Sequence, residues 1–229
     1  TEGTIGGGEM ESRVVKEALE VLAVGEARLL SYRFSDPDKG DPGVCGGEME
    51  VFVEPLRSRP TVIVVGGGHV GKAVVHLAKW LGFRVVVSDD RPEYAQPEAA
   101  PEADEYVACS LAELASRTRI DGQTYIVLTT RGVEVDVAGL PALLDSPAVY
   151  IGVIGSRRRW ETCAQELRSA GVPAEKIRRV TSPIGLELNA ETPEEIAISI
   201  LAQIVMLRRG GSGEAMARTP VARPTDRGG

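Results

Sequence analysis

The sequence predicts an α/β fold in which a largely parallel sheet is covered by helices on both faces. Two observations support this prediction. Short β-branched or aromatic runs, such as 61–65 and 124–128, alternate along the chain with segments of helical periodicity. These runs are apolar throughout, as is typical of strands buried on both faces of a parallel sheet.

The stretch 61–90 carries the most specific pattern in the chain. A predicted strand runs into Gly66, Gly68 and Gly71, which have G-x-G-x-x-G spacing, and a predicted helix follows. The next strand ends at Asp89, at about the 20-residue distance that a dinucleotide-binding βαβ unit requires. The pattern therefore predicts a Rossmann-like domain with a doubly wound parallel sheet.

Each residue of this pattern has a physical role in binding. Gly66 permits a tight exit from the strand, Gly68 lets the backbone approach a pyrophosphate, and Gly71 lets helix and strand pack closely. The helix N-terminus offers N–H groups and a positive dipole to phosphate. Asp89 would accept hydrogen bonds from a ribose diol. A Rossmann-like unit that binds no dinucleotide is the alternative, because a fold does not determine its ligand.

Composition excludes several classes of protein. The 229 residues are 43% hydrophobic and 26% charged, which is typical of a globular protein. The net charge of −7 argues against a nucleic-acid partner. No apolar run has the length of a membrane span and no signal peptide opens the chain, so we expect a cytoplasmic location. Three widely spaced cysteines and two histidines predict neither a disulfide framework nor a His-rich metal site.

Residues 1–57 predict a small α+β domain ahead of the Rossmann-like domain. A triple glycine precedes a helix at 9–24, and two strands follow at 28–34 and 48–54. The chain starts in what resembles the middle of a motif, so we expect this domain to be truncated. Cys45 lies in a glycine turn, where its thiolate could bind a soft metal or handle sulfur. A small, inert, buried cysteine is the alternative.

Two further turns follow predicted strands, at the sheet edge where open α/β sheets bind ligands. Thr130 lies in the first turn and Gly155, Ser156 and Arg157 lie in the second, which begins another helix. The arginines at 157–159 could grip an anion together with backbone N–H groups. A solvated charged face is the alternative. We assign residues 58–209 to the Rossmann-like domain and 210–229, rich in Gly, Pro and Arg, to a disordered tail.

Several segments together resemble the XdhC/CoxI family of xanthine dehydrogenase accessory proteins. They are GTIGGGEMES, VCGGEMEVFVEP, VIVVGGGHVGKAVVHLAKWLGFRVVVSDDRPEYA, YIGVIGSRRR and SPIGLELNAETPEEIAISILAQI. The resemblance runs from about Gly3 to Arg209. Its last two segments are the most specific, since a generic dehydrogenase has no need of PIGL followed by AETPEEIA.

The resemblance implies a role in maturing molybdenum hydroxylases such as xanthine and carbon monoxide dehydrogenases. Members of the family bind the molybdenum cofactor, hold it while an oxo ligand is replaced by sulfido, and deliver it to the hydroxylase apoenzyme. A cysteine desulfurase is the expected sulfur donor. The resemblance makes Cys45 the candidate molybdenum or sulfur contact. The candidate cofactor-binding residues are Gly66, Gly68, His69, Val70, Gly71, Asp89, Arg91, Thr130, Gly155, Ser156 and Arg157.

Two positions depart from the family pattern. Glu9 stands where many members have cysteine, and Val133 stands where many have a His-containing segment. These departures leave a second thiolate and a histidine role open. His69 itself is either a functional residue or a polar surface residue in the first turn of a helix.

Two other functions are compatible with the sequence. The glycine fingerprint suits an NAD(P)-dependent oxidoreductase, and Asp89 would favour NAD over NADP. However, the chain shows no clear acid/base pair for substrate chemistry. A nucleotide-sensing regulatory protein is the second alternative. We therefore expect a cofactor-binding chaperone more than an enzyme, and a homodimer, because a truncated first domain would expose apolar surface.

Overall fold

The computed structural model describes residues 2–5, 8–33, 47–56 and 59–216. The chain divides into two compact units, Thr1–Ser58 and Arg59–Gly229. Cys45, two residues of the triple glycine and the end of the predicted tail lie outside the described residues.

The first unit contains one helix and an antiparallel strand pair. Helix α1 (Gly8–Val24) buries Met10, Val14 and Val21. Strands β1 (Arg28–Arg33) and β2 (Glu48–Val53) pair along their full lengths. Exposed and half-buried residues alternate along β2, as expected for a strand with one solvent-facing side. The sequence predicted these three elements.

The second unit is built on a six-stranded parallel sheet. The strands are β3 (Thr61–Val65), β4 (Arg84–Asp89), β5 (Glu105–Ala108), β6 (Thr124–Leu128), β7 (Tyr150–Val153) and β8 (Val180–Thr181). Their spatial order is β5-β4-β3-β6-β7-β8, and every neighbouring pair is parallel. This is the order of a dinucleotide-binding fold, with its switch point between β3 and β6. The predicted doubly wound sheet is confirmed.

Helices cover both faces of this sheet. They are α2 (His69–Trp80), α3 (Leu114–Arg117), α4 (Val133–Leu144), α5 (Arg157–Ser169), α6 (Ala174–Ile177) and α7 (Pro193–Arg209), with a 3-10 turn at Pro92–Tyr94. Val62 and Val64 pack in the core beneath α2 and α7, whereas Ile63 packs in the core beneath α4 and α5. Consecutive residues of a strand point to opposite faces, so both cores draw on the same strands.

The structure differs from the prediction at a few element ends. The apolar residues at 140, 143 and 144 predict a helix from Asp136, but α4 begins three residues earlier, at Val133, because Gly132 is its extended N-cap. The sequence predicts a short strand at 178–180, and strand β8 lies slightly later, at Val180–Thr181. Thr192 and Glu195 predict a capping box at the start of α7, which the structure confirms. Among the described residues, no helix is both long and apolar enough to cross a membrane.

Candidate functional site

Three of the four glycines in the turn from β3 into α2 are required by close packing. Gly66 has a φ of +108°, and a Cβ there would lie 2.7 Å from the Thr129 carbonyl oxygen. A Cβ at Gly67 would lie 2.2 Å from the Tyr94 carbonyl oxygen. A Cβ at Gly71 would lie 1.9 Å from the carbonyl oxygen of Gly66. Sequence reasoning missed Gly67, because the fingerprint leaves its position free.

Gly68 has a different environment from its neighbours. A Cβ there would meet nothing within 4 Å. Gly68 is also the N-cap of α2, whose start has no side-chain cap and no acidic residue in the first turn. The positive end of this helix dipole is therefore free to attract an anion. These features agree with the predicted approach of a phosphate to Gly68.

Asp89 is saturated by donors from its own chain. Its buried carboxylate accepts hydrogen bonds of 3.0 Å from the backbone N–H groups of Gly67 and Arg91. It also accepts two 3.0 Å hydrogen bonds from the Arg91 guanidinium. These bonds raise the pKa of Arg91 above its ordinary value. A carboxylate offers about four acceptor positions, so a ribose diol would have to displace Arg91 to reach Asp89.

The next carboxylate retains free acceptor capacity. Asp90 pairs with both terminal nitrogens of Arg131, at 2.7 and 2.6 Å. This pairing lowers the pKa of Asp90 to about 2. Because β4 and β6 flank β3, the ion pair crosses above the end of β3. Neither Asp90 nor Arg131 is among the binding residues predicted from the sequence, although the Asp-Asp pair at 89–90 is visible there.

These residues form the first cleft, which encloses about 180 Å³. Leu111 and Val135 supply apolar wall, and Cys109 lies beside them with its thiol 3.8 Å from the Ser88 hydroxyl. Five of the predicted binding residues line this cleft, namely Gly66, Gly68, Asp89, Arg91 and Thr130.

A second cleft of about 540 Å³ lies at the carboxyl end of β7. Gly155 and Arg157 line it on one side, and the loop at 183–190 lines it on the other. Ser156 caps α5 by accepting a 3.2 Å hydrogen bond from the backbone N–H of Arg159. The predicted binding residues therefore divide between two clefts rather than forming one site.

The PIGL loop is fixed to the sheet and to α7. Ile184 packs over Gly152, where a Cβ would lie 2.4 Å from the Ile184 Cδ1 atom. The backbone N–H of Gly185 donates a 2.9 Å hydrogen bond to the Gln203 side-chain oxygen. The Ser199 hydroxyl donates a 2.5 Å hydrogen bond to the Leu186 carbonyl. These contacts give the second cleft a rigid wall, and they account for the adjacent PIGL and α7 segments.

A buried ion pair connects the two clefts. The Arg159 guanidinium donates to Asp136 at 2.7 Å and to the Thr130 hydroxyl at 3.0 Å. Asp136 is fully buried, and the Thr130 hydroxyl also donates to it. Thr130 lines the first cleft, whereas a Cβ at Gly155 in the second cleft would lie 2.8 Å from the Arg159 side chain. Arg159 is thus a structural residue, a role that its position in a run of arginines did not reveal.

The remaining candidates lie elsewhere. His69 lines a groove between α2 and α7, and Val70 packs against the core. The position of Cys163 in a predicted helix indicates a core residue, and burial, reinforced by the Asp136 carboxylate, raises the pKa of its thiol to about 11. Within the described ranges, no three His, Cys, Asp or Glu side chains are grouped to hold a metal ion. Cys45 lies outside those ranges.

The strand order and the open glycine turn define a domain of the Rossmann class. Residues 62–204 match the family described as the XdhC Rossmann domain, and residues 1–33 match the XdhC and CoxI family. The chain belongs to the XdhC/CoxI family.

Three relatives match more than two thirds of this chain in sequence. The uncharacterized protein YqeB of Escherichia coli (strain K12) is 34% identical over 93% of this chain and 40% of its own length. A probable xanthine dehydrogenase subunit of Bacillus subtilis (strain 168) is 30% identical over 69% of this chain and 46% of its own. The molybdenum cofactor insertion chaperone PaoD of E. coli (strain K12) is 23% identical over 90% of this chain and 74% of its own. The chain thus spans less than half the length of the first two.

The fold also occurs in a solved structure of another protein. A crystal structure of a xanthine dehydrogenase from Bacillus halodurans matches 89% of this chain and 68% of its own, with a TM-score of 0.60 and 22% identity.

Proposed function

We propose that this protein is a maturation factor for molybdenum hydroxylases. In this role it binds the molybdenum cofactor, holds it during the exchange of an oxo for a sulfido ligand, and delivers it to the hydroxylase apoenzyme. A cysteine desulfurase supplies the sulfur. The names of the relatives support this role, since one is a molybdenum cofactor insertion chaperone and another is named as a probable part of xanthine dehydrogenase.

The observation that best supports the proposal is the second cleft. Its volume of about 540 Å³ falls in the range of roughly 300–1,000 Å³ that is typical of small-molecule sites. Arg157 lines the cleft at the first turn of α5, where a guanidinium and a helix N-terminus together suit a phosphate. The cofactor is a phosphorylated pterin dithiolene, so these residues fit its anionic end.

In this proposal, different residues contact different parts of the bound cofactor. Arg157 and the start of α5 hold the phosphate, and the loop at 183–190 forms the wall against which the pterin lies. When bound, the cofactor supplies the molybdenum centre at which the ligand exchange occurs. Cys45 provides a soft thiolate for molybdenum or sulfur, in line with the chemistry of that ligand.

The test measures retention of the cofactor under anaerobic conditions. Protein loaded with the cofactor is passed through gel filtration, and the bound pterin and molybdenum are quantified. We expect wild-type protein to retain both, and Arg157→Ala to retain at least tenfold less. Arg158→Ala is the matched control, because Arg158 is exposed in the same helical turn but does not line the cleft. Wild-type protein without retained cofactor would refute the proposal.

Cys45 is tested separately with the same loaded protein. Cys45→Ala is expected to keep the pterin phosphate contacts but to lose sulfido transfer, measured as activation of a hydroxylase apoenzyme. An unchanged yield of active hydroxylase would remove Cys45 from the proposed role.

A second candidate function rests on the first cleft. Its position at the switch point and the uncapped start of α2 suit a nucleotide, as in an NAD(P)-dependent oxidoreductase or a nucleotide sensor. Titration with NADH, followed by its fluorescence, tests for binding there. Reduction of NAD⁺ to NADH by an added electron-donating hydroxylase substrate would favour an enzyme. Binding that only changes affinity for the apoenzyme would favour a sensor.

A further inference from the structure

The outward face of α7 carries a regular stripe of side chains. Its members, spaced four, four, three and four residues apart, are Glu194, Ile198, Ala202, Val205 and Arg209. Such spacing places all five along one side of a helix. The adjoining side of α7 packs into the core through Ala197, Ile200, Leu201 and Ile204. Glu194, Ile198 and Arg209 are exposed, whereas Ala202 and Val205 between them are half-buried, so the stripe lies along the solvent-facing edge of the helix.

The stripe is complementary to itself when one copy is reversed. Each end of the stripe has a charged residue followed by an aliphatic residue, and the small Ala202 lies next to its midpoint. Reversal places acidic Glu194 opposite basic Arg209, and Ile198 opposite Val205. Alanine at the centre lets two helix backbones approach closely.

Within the described ranges the charged ends of the stripe form no ion pair, whereas their neighbours make contacts inside the chain. Glu195 completes the capping box, and the Arg208 guanidinium lies over the Phe83 ring at 5.4 Å. In the part of the chain that the structure describes, Glu194 and Arg209 have no ion-pair partner.

Apolar surface on α2 continues the stripe. A groove of about 580 Å³ between α2 and α7 has Ala73, Leu77 and Ile198 in its lining. Near the end of α2, Trp80 is 79% exposed. Trp80 follows Leu77 by three residues on the same side of α2, and a large exposed aromatic side chain in such a position is typical of an interaction surface.

We propose that this face of α7 is the interface of a homodimer. Two copies pack α7 against α7 in antiparallel orientation, about a two-fold axis that passes near Ala202. Glu194 of each copy then pairs with Arg209 of the other. The two residues are about 22 Å apart along the helix at 1.5 Å per residue, so both pairs form at once at opposite ends of the contact.

The first test is the oligomeric state of the full chain by sedimentation equilibrium. We expect a dimer for the wild type. Ile198→Glu buries two charges near the axis and is expected to give a monomer with unchanged helical content. Val149→Glu is the matched control, because Val149 is similarly exposed but lies just before β7. A monomeric wild type, or an Ile198→Glu variant that stays dimeric, would overturn the proposal.

The second test uses charge reversal and determines the orientation of the helices. Glu194→Arg and Arg209→Glu each create two repulsive contacts, which should weaken dimerisation about ten- to hundredfold. The two variants mixed in equal amounts should form a heterodimer, since every contact between them is again attractive. The double variant should also dimerise. Failure of the mixture to associate would exclude the antiparallel arrangement.

Discussion

The carboxylate of Asp89 and the guanidinium of Arg91, two positions apart in sequence, form a two-point ion pair at the base of the glycine turn. The same carboxylate holds the backbone N–H of Gly67. The acid that marks a ribose-binding position in the sequence therefore stabilises the glycine turn in the structure.

Asp89→Ala should destabilise the second unit strongly. The substitution leaves the Gly67 N–H without its acceptor and Arg91 without its counter-ion, at a cost of about 3 kcal/mol. Urea denaturation measures the change. Asp90→Ala is the control, and it should cost about 1 kcal/mol or less because its ion pair is exposed. Equal losses in the two variants would contradict the structural role of Asp89.

Asp90 should make stability depend on pH in the acid range. Arg131 lowers the pKa of Asp90 to about 2 from an ordinary value of 3.8. The folded state therefore binds this proton less readily, and the stabilisation is present above about pH 4 and is lost as pH falls toward 2. Solvent screening limits the effect to about 1 kcal/mol. Urea titrations from pH 2 to 6 should show a shallower dependence in Asp90→Asn; a dependence identical to that of the wild type would contradict this.

Arg159→Met should be among the most destabilising changes in the chain. It leaves the fully buried Asp136 carboxylate uncompensated, which costs about 3–5 kcal/mol. Adding Asp136→Asn removes the buried charge and should recover part of the loss. Arg158→Met, one position away on the exposed face, should leave the free energy of unfolding unchanged. A double variant no more stable than Arg159→Met would argue against the ion pair as the cause.

Two neighbouring glycines should respond differently to a methyl group. Gly67→Ala forces a Cβ into the Tyr94 carbonyl and should cost about 1–3 kcal/mol, as overpacking does. Gly68→Ala meets open space and should cost about 1 kcal/mol or less, through the weaker N-cap. Melting temperatures compare the two variants directly, and a reversed ranking would show that the turn is packed differently.

The fold was largely predictable because its signals are local. The apolar run of 61–65, the glycine spacing and the capping box of Thr192 and Glu195 each act within a few residues of their own position. The division of the candidate site was not predictable in this way. Whether Arg157 or Arg159 faces a ligand depends on Asp136, which lies on another helix and meets Arg159 only after the sheet has formed.

The four hydrogen bonds that Asp89 accepts within the chain could not be predicted from the sequence, for a related reason. A motif specifies which residue occupies a position but not how many donors already surround it. His69 likewise lies in the α2–α7 groove only because α7 packs beside α2. Helix α7 begins more than a hundred residues later in the chain, so the position of His69 is not visible in the local sequence.

Neighbouring residues of helix α7 face two different surroundings. Ser199 and Gln203 anchor the wall of the second cleft, while adjacent Ile198 faces outward. A helix moves as a rigid body, so any tilt imposed on its outer side is transmitted directly to the Leu186 and Gly185 backbone. We therefore expect contacts made on the outer side of α7 to alter the width of the second cleft.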